Sequence, residues 1–160
     1  MKQTSSKPFW QALTLGILAG MRTTAGPLTA NQLLRGRHTH HHENLPLKFM
    51  RSETAGIVFG IAAVGELITD KLPSTPSRTA PVGVIARCLS GSLAGAAICK
   101  ANGNTAISGA LLGLAGALCA TYAFHSLRKN VVKQTHIADP WIGGAEDAIV
   151  IGTGIALINA

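Results

Sequence analysis

Aromatic residues make up only 4% of this 160-residue chain and charged residues only 13%, about half the charged share of an average soluble domain. So little charge argues against a water-facing surface on all sides. Cysteine is scarce as well. Cys88, Cys99 and Cys119 lie in apolar segments with no C-x-x-C spacing, which excludes a disulfide framework or a zinc site as the organising feature. They are expected to be buried as small hydrophobes. No G-x-S-x-G, H-E-x-x-H or P-loop occurs, so an enzyme ranks below other readings, and neither a cofactor nor a metal site is expected. Acidic residues number 7 against 14 basic ones. The bases are scattered between apolar runs, however, without the basic stripe and stacking aromatics that nucleic-acid binding needs. They suit contact with anionic lipid headgroups, and membrane lipids are the expected partner.

What is abundant is small and apolar. Glycine occurs 18 times and apolar residues make 47% of the chain, the composition of helices whose backbones approach closely inside a bilayer. Four Gly-x-x-x-Gly pairs recur: Gly16 and Gly20, Gly56 and Gly60, Gly91 and Gly95, Gly109 and Gly113. They predict tight helix packing as the dominant theme and leave room for a homo-oligomer. The likeness of Ser90-Gly91-Ser92-Leu93-Ala94-Gly95 to Ser108-Gly109-Ala110-Leu111-Leu112-Gly113 points to an internal duplication.

Read in order, the chain predicts an all-α integral membrane bundle of about five helical segments in one domain, 1–160. Lys2 and Lys7 before the apolar run 9–21 imitate a secretory leader. Arg22 interrupts that run and no A-x-A site follows, so it is read as an uncleaved first helix. Phe9 and Trp10 suit an interfacial anchor. The first helix, over 9–34, is expected to break between Arg22 and Pro27, because proline removes a backbone donor. Residues 35–53 read as a basic loop. Its histidines, His38 and His40 to His42, are read as solvated rather than metal-binding, since a fixed ligand scaffold is lacking. Helices follow over 54–72, 82–100, 105–124 and from near 144. Between them come a proline-rich connection after Pro73 and a second loop over 125–141. Residues 101–124 contain no charge or histidine and give the one clean membrane-spanning signal. Five crossings would place Lys2, Lys7, Lys71, Arg78, Arg128, Lys129 and Lys133 on the N-terminal side. Arg35, Arg37, Lys48, Arg51 and Lys100 would fall opposite, which favours a cytoplasmic N-terminus.

The candidate site is the set of charges on or beside these helices: Arg22, Glu66, Asp70, Lys71, Arg78, Arg87, Glu146 and Asp147. An unpaired Arg or Asp at mid-bilayer costs about 2.5–3.5 kcal/mol, so pairing is expected. Arg22 and Arg87 are the natural counter-charges to Glu66 and Glu146. Glu66 and Asp70 stand one turn apart on one face, where two carboxylates at low dielectric would not both ionise freely. Glu146 and Asp147 are placed in the first turn of the last helix, where negative charge complements the helix dipole.

Ala19-Gly20-Met21-Arg22, the run Gly65-Glu66 with Asp70-Lys71-Leu72-Pro73 and Pro76-Ser77-Arg78, Arg87 with its small-residue helix, and Glu146-Asp147 together resemble a family of bacterial membrane proteins, domain of unknown function 4126. The resemblance covers nearly the whole chain. It implies a small multi-pass protein of the bacterial inner membrane and brings no activity, substrate or catalytic residue. Broken helices with facing charges suit passage of an ion or small polar solute. A structural or accessory membrane subunit is the alternative, in which the charges only fix helix register.

Overall fold

The computed structural model describes residues 7–36, 45–69, 80–135 and 139–159. Among them there are seven helices and no strand: α1 (Lys7–Met21), α2 (Ala25–Arg35), α3 (Leu45–Arg51), α4 (Glu53–Thr69), α5 (Pro81–Ala101), α6 (Ala106–Thr135) and α7 (Asp139–Asn159). The all-α expectation holds, with seven helices instead of about five. The first helix divides into α1 and α2, and the expected 35–53 loop contains α3. Helix α6 continues past residue 124 to Thr135, through most of the loop expected there, and α7 begins at Asp139 instead of near residue 144. His38 and His40 to His42, Asp70, Lys71 and Arg78 lie outside the described residues.

Helices α1, α5 and α6 form the close-packed centre. A Cβ at Gly16 would meet the Gly113 carbonyl, and one at Gly20 the Ala117 carbonyl, so α1 and α6 run parallel. Gly91 abuts Gly113, and Gly95 abuts Gly109, so α5 and α6 run antiparallel at backbone contact. The two look-alike segments are thus the two sides of one interface, each S-G-x-L-x-G run meeting the other in reverse. Three of the four glycine pairs act as expected. In the fourth, Gly56 packs on Asn31, whereas nothing lies within 4 Å of a Cβ at Gly60.

Helix α2 does not continue α1 but turns back along it. A Cβ at Gly26 would meet the Leu15 carbonyl at 2.7 Å and the Ala19 side chain at 2.8 Å. Ala30, Leu33 and Leu34 of α2 share a core with Ala12 and Leu15 of α1, Leu47 and Met50 of α3, and Ala94, Ala97, Ile98, Cys99 and Ala101 of α5. Helices α1 and α2 therefore make a hairpin that enters the bundle and leaves by the same end. Asn31 Nδ2 donates to the carbonyls of Met50 (2.6 Å) and Ser52 (3.0 Å), fixing the α3–α4 corner to α2. Helix α4 then runs antiparallel to α2, with Gly56 beside Asn31 and Glu66 beside Thr24. Helix α7 runs parallel to α2, with Asp147 beside Arg22 and Gly154 beside Thr29.

Size is distributed inside out compared with a water-soluble bundle. Buried positions are dominated by alanine and glycine. Ile57, Val58, Ile61, Val64 and Ile68 of α4, Val82, Ile85 and Leu89 of α5, Ile107 and Leu111 of α6, and Ile149, Ile151 and Ile155 of α7 are all exposed. Two helices, Pro81–Ala101 and the Ala106–Val131 part of α6, are long and apolar enough to cross a membrane. The first of these was not singled out by the sequence, because Arg87 and Lys100 interrupt its apolar run. Cys99 is buried as expected, Cys88 is half-buried, and Cys119 is exposed.

Candidate functional site

The site grows out of the break between α1 and α2. Met21 ends α1 and Ala25 opens α2. The turn is held by Arg22 N–H to the Leu18 carbonyl (2.8 Å) and Ala25 N–H to the Arg22 carbonyl (3.1 Å). Pro27 sits in the first turn of α2, where a missing N–H leaves nothing unbonded. Pro27 is accordingly compatible with the start of α2, and the break itself lies at Arg22–Thr24. Thr24 is the N-cap residue but makes no side-chain cap bond of its own.

That cap comes from another helix. Glu66 on α4 accepts the Thr23 N–H at 2.7 Å on Oε1, and on Oε2 the Thr24 N–H at 3.0 Å and the Thr24 hydroxyl at 2.7 Å. A carboxylate at a helix N-terminus satisfies orphan donors and meets the positive end of the helix dipole. On the other side of the turn, the Ser90 hydroxyl of α5 donates to the Thr23 carbonyl. One turn earlier, the Thr121 hydroxyl of α6 lies within reach of both the Gly20 (3.2 Å) and Ala117 (2.7 Å) carbonyls. Helices α4 and α5 therefore supply side-chain partners to the backbone that has left helical register, and α6 supplies one to the last turn of α1.

Arg22 points from the break to α7. Its Nε and Nη2 both lie 2.5 Å from Asp147 Oδ1, with side-chain exposures of 11% and 20% for the two partners. Arg87 and Glu146 are buried too. Arg87 shares its face of α5 with Ser90 and Gly91, three and four residues on, and Glu146 shares its face of α7 with Val150 and Gly154. At 1.5 Å per residue, Ser90 lies about 14 Å from the start of α5 and about 17 Å from its end. The charged layer thus sits near the middle of a helix long enough to span a membrane.

The expected pairing is therefore corrected. Glu66 takes its bonds from Thr23 and Thr24 instead of an arginine, and Arg22 pairs with Asp147 instead of Glu66. The broken turn presents amide donors at the level of α4's carboxylate, which frees the guanidinium for α7. Glu146 and Asp147 are corrected as well. Helix α7 starts at Asp139, so they lie two turns inside it and face the bundle, away from the N-terminal end of the dipole. The side chains that sequence reasoning missed are Thr23, Thr24, Ser90 and Thr121. Thr23-Thr24 between an arginine and Gly26-Pro27 carries a readable helix-start signal. Ser90 and Thr121 look like any small residue in a packed helix.

No curated protein and no solved structure shows a significant match to the chain. A model of the family described as Domain of unknown function (DUF4126) does match it, over residues 10–160. With a match that runs from α1 to the end of α7 and takes in Arg22, Glu66, Arg87, Glu146 and Asp147, the chain belongs to this family of unknown function.

Proposed function

We propose that the protein is a multi-pass protein of the inner membrane that passes an ion or small polar solute by way of the charged break at Arg22–Thr24. The observation that carries this reading is a non-helical turn at the middle depth of the bundle. It is held by Glu66 and an Arg22–Asp147 ion pair, while the outer faces of the same helices are Ile, Val and Leu. Irregular backbone at membrane depth is tolerated where protein or a water-lined path covers it, and half-helix ends there are the usual ion and solute sites of transporters. A solute with an anionic group would compete with Glu66 for the Thr23 and Thr24 amides. A cation would compete with Arg22 for Asp147. Either exchange swaps one polar partner for another, so the layer is never left unpaired.

The test is flux into proteoliposomes across a panel of ions and small solutes, with and without a pH gradient. Wild type is compared with Glu66→Gln, Asp147→Asn and Arg22→Gln. Flux in the wild type that falls at least tenfold in one or more variants is the expected result. Folded protein with no flux above empty liposomes for any solute would reject transport.

A second reading, a structural or accessory membrane subunit, is favoured by one observation: among the described residues, the bonds to the Glu66 side chain all come from the break itself. On that reading Glu66→Gln lowers stability and leaves any partner assembly or flux otherwise unchanged.

A further inference from the structure

The hairpin brings Lys7, Arg35, Lys48, Arg51 and Lys100 to one end of the bundle. Pro8 and Cys99 meet there, with the Cys99 thiol against the Pro8 carbonyl at 3.7 Å, so Lys7 and Lys100 flank a shared contact. Asn31 binds the carbonyls on either side of Arg51. Arg35, one turn further along α2, lies beside Gly56, where a Cβ would stand 3.6 Å from Arg35 Nη1. Helix α3 completes this end. Leu47 and Met50 face the core, and Lys48 and Phe49 face outward. Lys7, Arg35, Lys48 and Lys100 are exposed, Trp10 is 66% exposed beside them, and Glu53 is the acidic residue among the described positions at this end.

Depth fits the same picture. With the break at the midplane, Lys100 lies about 15 Å below Ser90 along α5 and Trp10 about 20 Å below Thr23 along α1. Hydrocarbon ends about 15 Å from the midplane, and headgroups begin there. A short helix with a buried apolar side and an outward Lys and Phe at this depth suits the interface.

We propose that this end, built from the first turn of α1, the last turn of α2, α3 and the last turn of α5, is a docking surface for anionic phospholipid headgroups. This rests on the membrane reading above and names the leaflet chemistry. The basic side chains attract the phosphate-bearing headgroup, while Trp10 and Phe49 settle among headgroups and upper acyl carbons. Each basic side chain near an anionic surface strengthens association by a factor of about five at low salt, and exposed charges are screened as salt rises.

The experiment is fluorescence quenching by brominated lipids in reconstituted full-length protein. Trp141→Phe leaves Trp10 as the sole tryptophan. Its quenching by dibrominated phosphatidylglycerol is compared with that by dibrominated phosphatidylcholine at equal mole fraction. The expected result is a several-fold preference for phosphatidylglycerol in 50 mM salt. It should fall towards unity in 500 mM salt and in the variant Arg35→Gln/Lys48→Gln/Lys100→Gln, whose fold is checked by circular dichroism. Lys129→Gln, near the other end of α6, should leave it unchanged. Equal quenching by the two lipids at low salt would overturn the proposal, as would a preference that survives the triple variant. If neither brominated lipid quenches Trp10, the membrane reading itself fails, an outcome distinct from lost headgroup preference.

Discussion

At Glu66 one carboxylate bonds two backbone amides and one hydroxyl, all from the turn that separates α1 from α2. Charge-assisted bonds of this kind are stronger than neutral ones, and glutamine would leave one amide with a weaker, neutral acceptor and turn an NH2 towards the other in a half-buried place. Glu66→Gln is expected to destabilise the fold by about 1–3 kcal/mol, read as a lowered melting temperature in detergent. Thr24→Val, which removes only the hydroxyl donor, should cost less. If Glu66→Gln melts with the wild type, the carboxylate is not what holds the break. The Arg22–Asp147 pair is a separate case, since removing either partner takes a counter-charge from the other where exposure is low. Arg22→Gln and Asp147→Asn should each destabilise, and the double variant by less than their sum. The presence of these charges was readable from the sequence because an ion in an apolar run stands out. Their partners were not, because pairing depends on which helix stands at the same height, and Asp147 was placed at a helix start that lies two turns earlier.

Among the elements, the α5–α6 pair is set by atoms that are missing. A Cβ at Gly113 would collide with the Gly91 carbonyl, and one at Gly109 with the Gly95 carbonyl, so only glycine permits this approach. Gly113→Ala is expected to push the helices apart at a cost of about 1–3 kcal/mol. Gly60→Ala, where a Cβ meets nothing within 4 Å, should be neutral or slightly stabilising through helix propensity. Comparing the two by thermal unfolding separates packing from propensity. Equal effects would mean that the Gly-x-x-x-Gly spacing carries no packing information here. That spacing announced close packing at Gly91, Gly95, Gly109 and Gly113 without naming which helices meet, and it misled for Gly60, because spacing does not say which face is covered. Helix α3 escaped notice for a related reason: Leu47 and Met50 are too short a pattern to stand out in a basic, histidine-rich stretch. The extension of α6 was hidden because hydropathy falls after residue 124 while helix propensity does not.

At the scale of the whole molecule, the decisive feature is that α2 turns back. A broken helix and a hairpin leave the same trace in the sequence, an arginine, two threonines and a Gly-Pro between apolar runs, and only the packing of Gly26 on Leu15 and Ala19 separates them. The difference changes the topology. With α1 and α2 entering and leaving by one end, Lys7, Arg35, α3, Ala101 and Asn159 share that end, and Pro81, Thr135 and Asp139 share the other. Five successive crossings would instead separate the two ends of the chain. Among the described residues the basic balance still points the same way but through different residues: Lys7, Arg35, Lys48, Arg51 and Lys100 gather at the end that holds α1's start, against Arg128, Lys129 and Lys133 in the part of α6 towards the other. By the positive-inside rule that end is expected to face the cytoplasm. Reporter fusions active only inside, and others active only outside, placed before residue 1 and after residue 160, should therefore both report the cytoplasmic side. A single cysteine near Pro81 should react with an impermeant thiol reagent from outside. Ends on opposite sides would reject the hairpin as a re-entrant element and restore five crossings. Both ends outside would keep the hairpin and invert the protein, leaving the basic face against the wrong leaflet.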